Sequence, residues 1–199
     1  MTEKKITLND LEKRQTMYNI AAGTNTESVF RAKNYVDFFL NTVIKQMDHV
    51  KTLVLQLSIK NNGGGTLLLV PSFNFIDFIE FYFNDDLLDS IRRDHIFVAH
   101  SFLNALNSNN YGNLEGYVQN DNLDTGGISS TISLDANAMK TYYIPIPNNI
   151  FCTDGLFISA LDGQIKVRVY FNLDSDIVYS GISTNLKLVD LQILSSGIK

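Results

Sequence analysis

Apolar and polar residues alternate along several stretches of the chain, as they do in strands that bury one face. The same alternation occurs in "KTLVLQLSIK" (51–60), "FNFIDFIEFYFN" (73–84) and "STISL" (130–134). A period of two residues places one set of side chains in a core and the other toward water. It is clearest in residues 164–171, where Ile165, Val167, Val169 and Phe171 alternate with Gln164, Lys166, Arg168 and Tyr170.

Turn residues separate these predicted strands. "KNNGGGT" (60–66) lies between two β-like runs, and Asn and Gly accept positive φ without strain, so a hairpin is predicted there. A phosphate-binding loop is disfavoured because no Lys followed by Ser or Thr comes after the last glycine. The Asp162-Gly163 pair predicts a tight turn that joins "LFISA" (156–160) to the alternating strand.

Two segments carry signals about their place in a sheet. The prolines of "YYIPIP" (142–147) lack a backbone N–H, so this segment is predicted to be an edge strand. In "NLKLVDLQIL" (185–194) the apolar phase slips between Leu188 and Val189, which predicts a β-bulge at that point.

Helical patterns occur in two places. Residues 89–107 carry Ala99, Phe102, Leu103 and Leu106 at helical spacing, and Asp89 or Ser90 can cap the start, so a helix of about three turns is predicted. Near the N-terminus, Asn9 can cap a short helix that continues through "DLEKRQTMYNI" (10–20). Residues 107–127 are polar and glycine-rich, and they are predicted to form a long exposed loop.

The order of these segments predicts the fold class. About eight β segments, one mid-chain helix and no βαβ alternation favour two packed antiparallel sheets over a parallel sheet. We therefore expect an all-β protein, a jelly-roll β-sandwich or barrel of about eight antiparallel strands with a short N-terminal helix and one mid-chain helix. Residues 1–28 differ in composition from the rest, which predicts an N-terminal arm (1–28) followed by a jelly-roll domain (29–199).

The charge balance excludes one large class of partners. The 199 residues carry 16 Lys plus Arg against 21 Asp plus Glu, for a net charge of −5. Direct nucleic-acid binding is therefore not expected, because it depends on a basic surface. The single cysteine excludes an internal disulfide, and neither a signal peptide nor a transmembrane run is evident, which predicts folding in a reducing cytoplasm.

The sequence offers little for catalysis. His95 and His100 are five residues apart and so about 140° apart on a helix, which prevents them from sharing a metal easily, and His49 is remote. Cys152 has no positive neighbour that would lower its pKa. We expect no catalytic residue, no cofactor, no metal site and no enzymatic activity. The acidic residues that could attract a hard cation have no EF-hand spacing and are more simply turn residues: Asp85, Asp86, Glu115, Asp121 and Asp124.

The order of two long segments is similar to a known family. Residues 43–104, "VIKQMDHVKTLVLQLSIKNNGGGTLLLVPSFNFIDFIEFYFNDDLLDSIRRDHIFVAHSFLN", resemble the first jelly roll of the major capsid proteins of the tectivirus and adenovirus lineage. Residues 142–172, "YYIPIPNNIFCTDGLFISALDGQIKVRVYFN", resemble that family's later strands. The resemblance covers roughly residues 43–194. Its proline-containing step and polar turn correspond to Pro71, Asn74, Ile76, Ile79, Asn84, Asp85 and Asp86.

The resemblance implies a structural role in a virion. It implies a capsid protein that self-associates to build an icosahedral shell, synthesised and folded in the host cytoplasm. The implied partners are copies of itself, with a trimer favoured, and other capsid proteins, with an inner membrane contact through the N-terminal arm. The family's principal shell proteins usually carry two barrels in one chain, whereas the resemblance here covers one, which leaves open a single-barrel relative, a vertex protein or one barrel of a longer product.

Two other functions remain open at this level. A carbohydrate-binding or attachment module on the same fold would use Tyr111 and Tyr117 of the long loop to stack on sugar rings, although the chain has no Trp. A small metal-dependent enzyme is the other alternative.

Overall fold

Strands make up most of the protein. A computed structural model describes residues 16–19, 35–40, 49–106, 118–119, 128–129, 132–147, 156–157 and 160–198. The strands of this part of the chain are β1 Thr16–Asn19, β2 Tyr35–Phe39, β3 His49–Asn61, β4 Leu67–Leu69, β5 Ile76–Phe83, β6 Asp86–Arg92, β7 Val118–Gln119, β8 Ile128–Ser129, β9 Ile132–Leu134, β10 Met139–Pro145, β11 Leu156–Phe157, β12 Ile165–Phe171, β13 Val178–Ser180 and β14 Leu186–Ile198. Helices α1 Arg93–Leu106 and α2 Asp174–Ile177 accompany them, with 3-10 turns at Ser72–Phe75 and Ser183–Asn185.

The strands form antiparallel sheets. Sheet A has the order β1-β14-β3-β10, with β11 also paired to β3, and sheet B has the order β2-β12-β5-β6. Sheet C joins β13, β4 and β9, while β7 pairs with β8. Strand β10 pairs with β3 and ends the order of sheet A among the described strands, which confirms the edge position predicted from its prolines.

Three strand pairs are nested along the chain: β3 with β14, β4 with β13, and β5 with β12. In an antiparallel pairing of constant register, the residue numbers of each pair have the same sum. That sum is 247 for Asn61 with Leu186, for Leu69 with Val178 and for Ile76 with Phe171. Residues 49–83 and 165–198 therefore form one antiparallel ribbon that bends from sheet to sheet. A rolled ribbon of this kind is the topology of a jelly roll, so the predicted all-β jelly-roll class is confirmed, whereas the predicted N-terminal helix is not shown.

The core lies where the alternation predicted it. Strand β12 has the pattern of fully buried and half-buried residues expected from its period of two, and its apolar face is buried. The buried apolar residues of β3 and β5 face the same interior, whereas Phe78 of β5 points to the other side of its sheet. The largest fully buried side chains are Phe38, Phe75, Phe81 and Phe171. Each contributes about 2 to 3 kcal/mol by leaving water.

The glycine loop is a corner of the ribbon, so the predicted hairpin is wrong. Strand β3 pairs with β14 and β10, whereas β4 pairs with β13 and β9. The fully buried Asn61 holds this corner: its side-chain amide donates to the carbonyls of Gly65 (2.7 Å), Leu134 and Asp135 (both 3.1 Å). Its Oδ1 accepts the N–H of Gly63 at 2.8 Å. One side chain therefore ties the loop to the end of β9.

The second predicted hairpin is also wrong. Strand β11 pairs with β3, while β12 pairs with β2 and β5, so the Asp162-Gly163 turn does not join a β11–β12 hairpin. Instead the segment packs against the β5–β6 turn, where Gln164 donates its N–H to Asn84 Oδ1 at 2.9 Å. Asn84 has a positive φ of 54°. Asparagine adopts this backbone conformation more often than most other residues, and the hydrogen bond to Gln164 helps to hold it.

The mid-chain helix is confirmed, but its predicted start is wrong. Asp89 and Ser90 belong to β6, where they pair with Phe81 and Glu80, and α1 begins only at Arg93. Pairing with β5 uses the backbone groups that a helical start would need, so tertiary structure overrides the capping signal. With 14 residues the helix has about four turns.

The N-terminal region differs from its prediction where it is described. Thr16–Asn19 form a strand that pairs with β14, so the predicted helix does not include them. The edge of β14 offers unpaired backbone groups that a short strand can satisfy. The rest of that predicted helix, and most of the predicted loop 107–127, lie outside the described residues. The domain boundary at residue 28 stays a prediction.

The bulge predicted in the C-terminal strand is confirmed. The register between β3 and β14 shifts between Leu188 and Asp190, which makes Val189 the extra residue. Across the described residues, no helix is both long enough and apolar enough to span a bilayer.

Asn61→Ala is expected to destabilise the fold by about 2 to 4 kcal/mol, because it leaves several buried backbone groups without partners. Urea unfolding measures the loss as a lower midpoint. Asn62→Ala is the matched control, because Asn62 is exposed and uses its backbone N–H to bond Asn185. Equal midpoints for the two variants would contradict the role of Asn61.

Candidate assembly surfaces

The outward side chains of sheet B form an ordered surface of three rows, each crossing four strands. We call it the outer face of sheet B. Because the strands are in register, each row contains one residue from β2, β12, β5 and β6 in turn. The rows are Tyr35, Tyr170, Phe78 and Arg92; then Asp37, Arg168, Glu80 and Ser90; then Phe39, Lys166, Tyr82 and Leu87.

A bidentate ion pair occupies the middle row. Arg168 Nε and Nη2 donate to the two carboxylate oxygens of Asp37 at 2.7 and 2.9 Å. The guanidinium carbon also lies 3.9 Å from the ring centroid of Tyr35. The hydrogen bonds to Asp37 raise the pKa of Arg168, although burial opposes them. Paired oxygens and an aromatic face hold this guanidinium in one orientation.

Aromatic rings fill the first row. Tyr170 stacks on Phe78 with ring centroids 4.0 Å apart and planes 20° apart. Its other neighbour is Tyr35, at 5.3 Å and 52°. Burial raises the pKa of Tyr170. Such contacts stabilise by about 0.5–1.5 kcal/mol beyond the area they bury. The three rings therefore pack against one another within a single chain.

Tyr82 links the second and third rows. Its hydroxyl donates to Glu80 Oε2 at 2.6 Å, and Lys166 Nζ lies 4.4 Å from its ring centroid. The hydrogen bond to Glu80 and the partial burial raise the pKa of Tyr82 to about 12. Four charged residues of this face thus contact neighbours within the face: Asp37, Glu80, Lys166 and Arg168. Interfaces are enriched in tyrosine, phenylalanine and arginine, and this face shares that composition.

Apolar side chains also project at three strand irregularities. In β6 the register shifts between Phe81 and Tyr82, which leaves Leu88 unpaired and 51% exposed. In β13 the shift leaves Tyr179 as the extra residue, 74% exposed, and in β14 Val189 is 47% exposed. A bulged residue falls outside the alternation, so the core does not determine where its side chain points. These positions are free to make contacts outside the subunit.

A cavity of about 420 Å³ opens beside the start of α1. Its walls include Phe73 and Phe97, whose rings lie 5.2 Å apart, together with Arg93, Asp94 and Asp176. Arg93 and Asp94 form a loose ion pair at 3.8 Å. The lining is mixed in charge and offers no single ligand chemistry.

The residues singled out for chemistry in the sequence are not brought together. His49 lies in β3, while His95 and His100 lie on α1, where His95 is exposed. Asp85 and Asp86 are exposed at the β5–β6 turn. Within the described ranges no three potential metal ligands cluster. Outside the described residues lie Cys152, Glu115, Asp121, Asp124, Tyr111 and Tyr117.

Sequence reasoning missed the outer face of sheet B. The alternation identified Lys166, Arg168 and Tyr170 as outward residues, but it could not say which strands flank β12. Asp37 is 131 positions from Arg168 in the sequence, so only the register of β2 on β12 reveals the pair. The available signal was Asp37, a charged residue between the apolar Val36 and Phe38.

Three solved capsid structures share this fold. A crystal structure of PBCV-1 VP54, fitted into a cryo-EM reconstruction of the virophage Sputnik, matches with a TM-score of 0.58 and 14% identity, over 92% of this chain and 41% of that one. A quasi-atomic model of the PBCV-1 virus capsid matches with a TM-score of 0.61 and 17% identity over the same shares. The crystal structure of the STIV MCP matches with a TM-score of 0.50 and 11% identity, over 92% and 49%.

The likeness is one of fold. No protein-family model and no curated protein sequence matches the chain. The chain spans less than half the length of each of these three solved chains. Jelly-roll capsid proteins are thus what the chain is similar to in structure, as the resemblance in the sequence implied.

Glu80→Gln is expected to lower the pKa of Tyr82 from about 12 toward its ordinary value of 10.0. Because the folded pKa is raised, Tyr82 stabilises the fold below pH 10, and that contribution is lost as pH rises through about 12. Alkaline titration of phenolate absorbance, taken as wild type minus Tyr82→Phe, isolates this group.

The control for that titration is Asp85→Asn, which removes a negative charge at the exposed hairpin turn. It should leave the late-titrating phenol in place. If Glu80→Gln also leaves it in place, the hydrogen bond is not the cause of the raised pKa.

Proposed function

We propose that the protein is a structural capsid protein that self-associates to build an icosahedral viral shell, without enzymatic activity. The observation that carries the proposal is the nested ribbon, which matches three capsid structures over 92% of this chain. The sequence resemblance to the same kind of protein supports it independently of the coordinates.

The surface supports assembly rather than catalysis. Large apolar side chains are exposed on several elements, including Leu88 and Tyr179 at bulges and Val98 on α1. Contiguous exposed apolar surface marks interaction sites, whereas single exposed apolar residues are common on monomers, so the contiguous rows of sheet B are the stronger candidate. The outer face of sheet B adds a packed aromatic surface of interface composition.

We propose copies of this chain as the main partners, with a trimer favoured, and other capsid proteins as further partners. The net charge of −5 supports a shell position without direct nucleic-acid contact. The site of action is the virion capsid, after synthesis and folding in the host cytoplasm. The N-terminal arm, residues 1–28, is proposed to contact a neighbour or an inner membrane.

Size-exclusion chromatography with light scattering tests self-association directly. The expected result is a mass that rises with protein concentration above that of a 22.4 kDa monomer, with larger particles at high concentration. A folded protein that stays monomeric at every concentration and salt condition would contradict the proposed function.

Deletion of residues 1–28 is expected to leave a folded barrel that no longer assembles. The arm includes β1, a four-residue edge strand on β14, so its removal should lower the melting temperature by only a few degrees. Thermal melting and light scattering report the two properties separately.

Deletion of residues 1–15 is the matched control, because it keeps β1. It is expected to impair assembly with an unchanged melting temperature, since it removes most of the arm's charged residues. Loss of the fold on deletion of 1–28 would show that the arm belongs to the core, and normal assembly would show that it makes no contact.

A further inference from the structure

The outer face of sheet B is self-complementary about one particular axis. We infer that a second copy of this chain packs on this face, related by a two-fold axis that runs parallel to the strands between β12 and β5. The inference rests on the proposed function in that it takes the partner to be another copy. It goes further by naming the surface, the axis and the facing residues.

The axis follows from the rows. A two-fold rotation about a line parallel to the strands keeps each row in place and reverses its order, so β2 faces β6 and β12 faces β5. Arg168 then faces Glu80 of the other copy, and Lys166 faces the ring of Tyr82. Opposite charges meet, and a cation meets an aromatic face.

The remaining positions are complementary under the same rotation. Tyr35 faces Arg92, Tyr170 faces Phe78, Phe39 faces Leu87 and Asp37 faces Ser90. These are one cation–π contact, one aromatic contact, one apolar contact and one hydrogen-bonding contact. No like charges oppose each other anywhere in the three rows.

The alternative two-fold axis, perpendicular to the strands, fails on charge. It would keep each strand opposite itself and reverse the rows, so the middle row would face its own copy. Asp37 would oppose Asp37, Arg168 would oppose Arg168 and Glu80 would oppose Glu80. Juxtaposed like charges in a contact are costly, so electrostatics selects the axis parallel to the strands.

The arrangement of charges in the rows, rather than the net charge, supports a second copy as the occupant. The protein carries a net charge of −5, so copies repel each other over most approaches. The outer face of sheet B carries three cations against two anions and is net positive by one charge. Two copies of the face carry net charges of the same sign, so the attraction comes from the facing pairs of opposite charge, Arg168 with Glu80 of the other copy. The cations are Arg92, Lys166 and Arg168, and the anions are Asp37 and Glu80.

The side chains that would meet have further hydrogen-bond donors or exposed area available for a contact. The guanidinium of Arg168 has five N–H donors, and the ion pair with Asp37 uses two of them. Tyr35 is 47% exposed and Leu87 is 54% exposed, at opposite corners of the face. Two corners of the face thus expose apolar side chains, while the middle row holds charged side chains in fixed positions.

The size of the face predicts a weak contact. Four strands about 4.8 Å apart and three rows about 7 Å apart give a planar area of roughly 300 to 400 Å². A standard stable interface buries about 800 Å² on each partner. Each contact is therefore weak, and a shell would be stabilised by many copies of it acting together. Because a weak contact dissociates readily, covalent cross-linking is the suitable way to detect it.

Cross-linking with a short bis-maleimide tests the axis in the full-length chain with Cys152→Ser. The pair Tyr35→Cys with Arg92→Cys lies on the first and fourth strands, about 14 Å apart in one chain and beyond the reagent's span. Across the inferred axis the two positions face each other. A covalent dimer on a denaturing gel is expected.

The matched pair is Tyr35→Cys with Phe39→Cys, which are about 13 Å apart along β2 and would face each other only about the perpendicular axis. This pair, and each single cysteine variant, is expected to stay monomeric on the gel. Ser90→Asp, which puts a carboxylate opposite Asp37, should lower the yield of the first pair several-fold. Ser180→Asp, an exposed serine on β13, should not.

Each outcome decides one question. If wild type self-associates but the Tyr35 and Arg92 pair gives no dimer, or the Tyr35 and Phe39 pair gives one, the inferred axis is wrong and the proposed function stands. If light scattering finds no self-association of wild type at all, the proposed function fails, and the inferred contact fails with it.

Discussion

The antiparallel register between residues 49–83 and 165–198 is the constraint on which the rest of the structure depends. Because the two halves of the ribbon pair continuously, the register at Asn61 and Leu186 also decides which residues meet at β5 and β12. A slip of one residue would turn every core side chain of a strand to the solvent side. The ribbon thus specifies the core and the outer face of sheet B together.

Bulges let the ribbon bend without losing this register. Tyr179 and Val189 are each inserted opposite a continuous partner strand, and the pairing recovers after them. At the other corner, the buried amide of Asn61 and the closely packed Gly63 carry the chain from sheet A to sheet C. Local irregularities at these points permit the long-range pairing, and two of them also place an apolar side chain on the surface.

Much of the fold was predictable from alternation alone. The buried face of β12, the edge position of β10 and the bulge at Val189 all follow from local patterns that the structure confirms. Partner choice was not predictable, because a strand's pattern does not identify its neighbour. For that reason both hairpin predictions are wrong, and the capping signal at Asp89 is misleading, because Asp89 pairs with Phe81.

The candidate surface was predictable only in part, for the same reason. Outward positions on β12 were evident, but the ion pair between Asp37 and Arg168 and the ring stack on Phe78 require knowledge of the register. Once the register is known, the rows indicate how two acidic chains can meet, because reversing the middle row puts Arg168 of one copy opposite Glu80 of the other.

A cryo-EM reconstruction of the particles that this protein forms at high concentration tests the central claim most directly. The account predicts closed particles in which the barrel fits as a repeated unit, with neighbouring copies in contact across the outer face of sheet B along a strand-parallel two-fold axis. Particles in which that face is exposed to solvent would contradict the inferred contact, and a protein that yields only dispersed single barrels would contradict the capsid role itself.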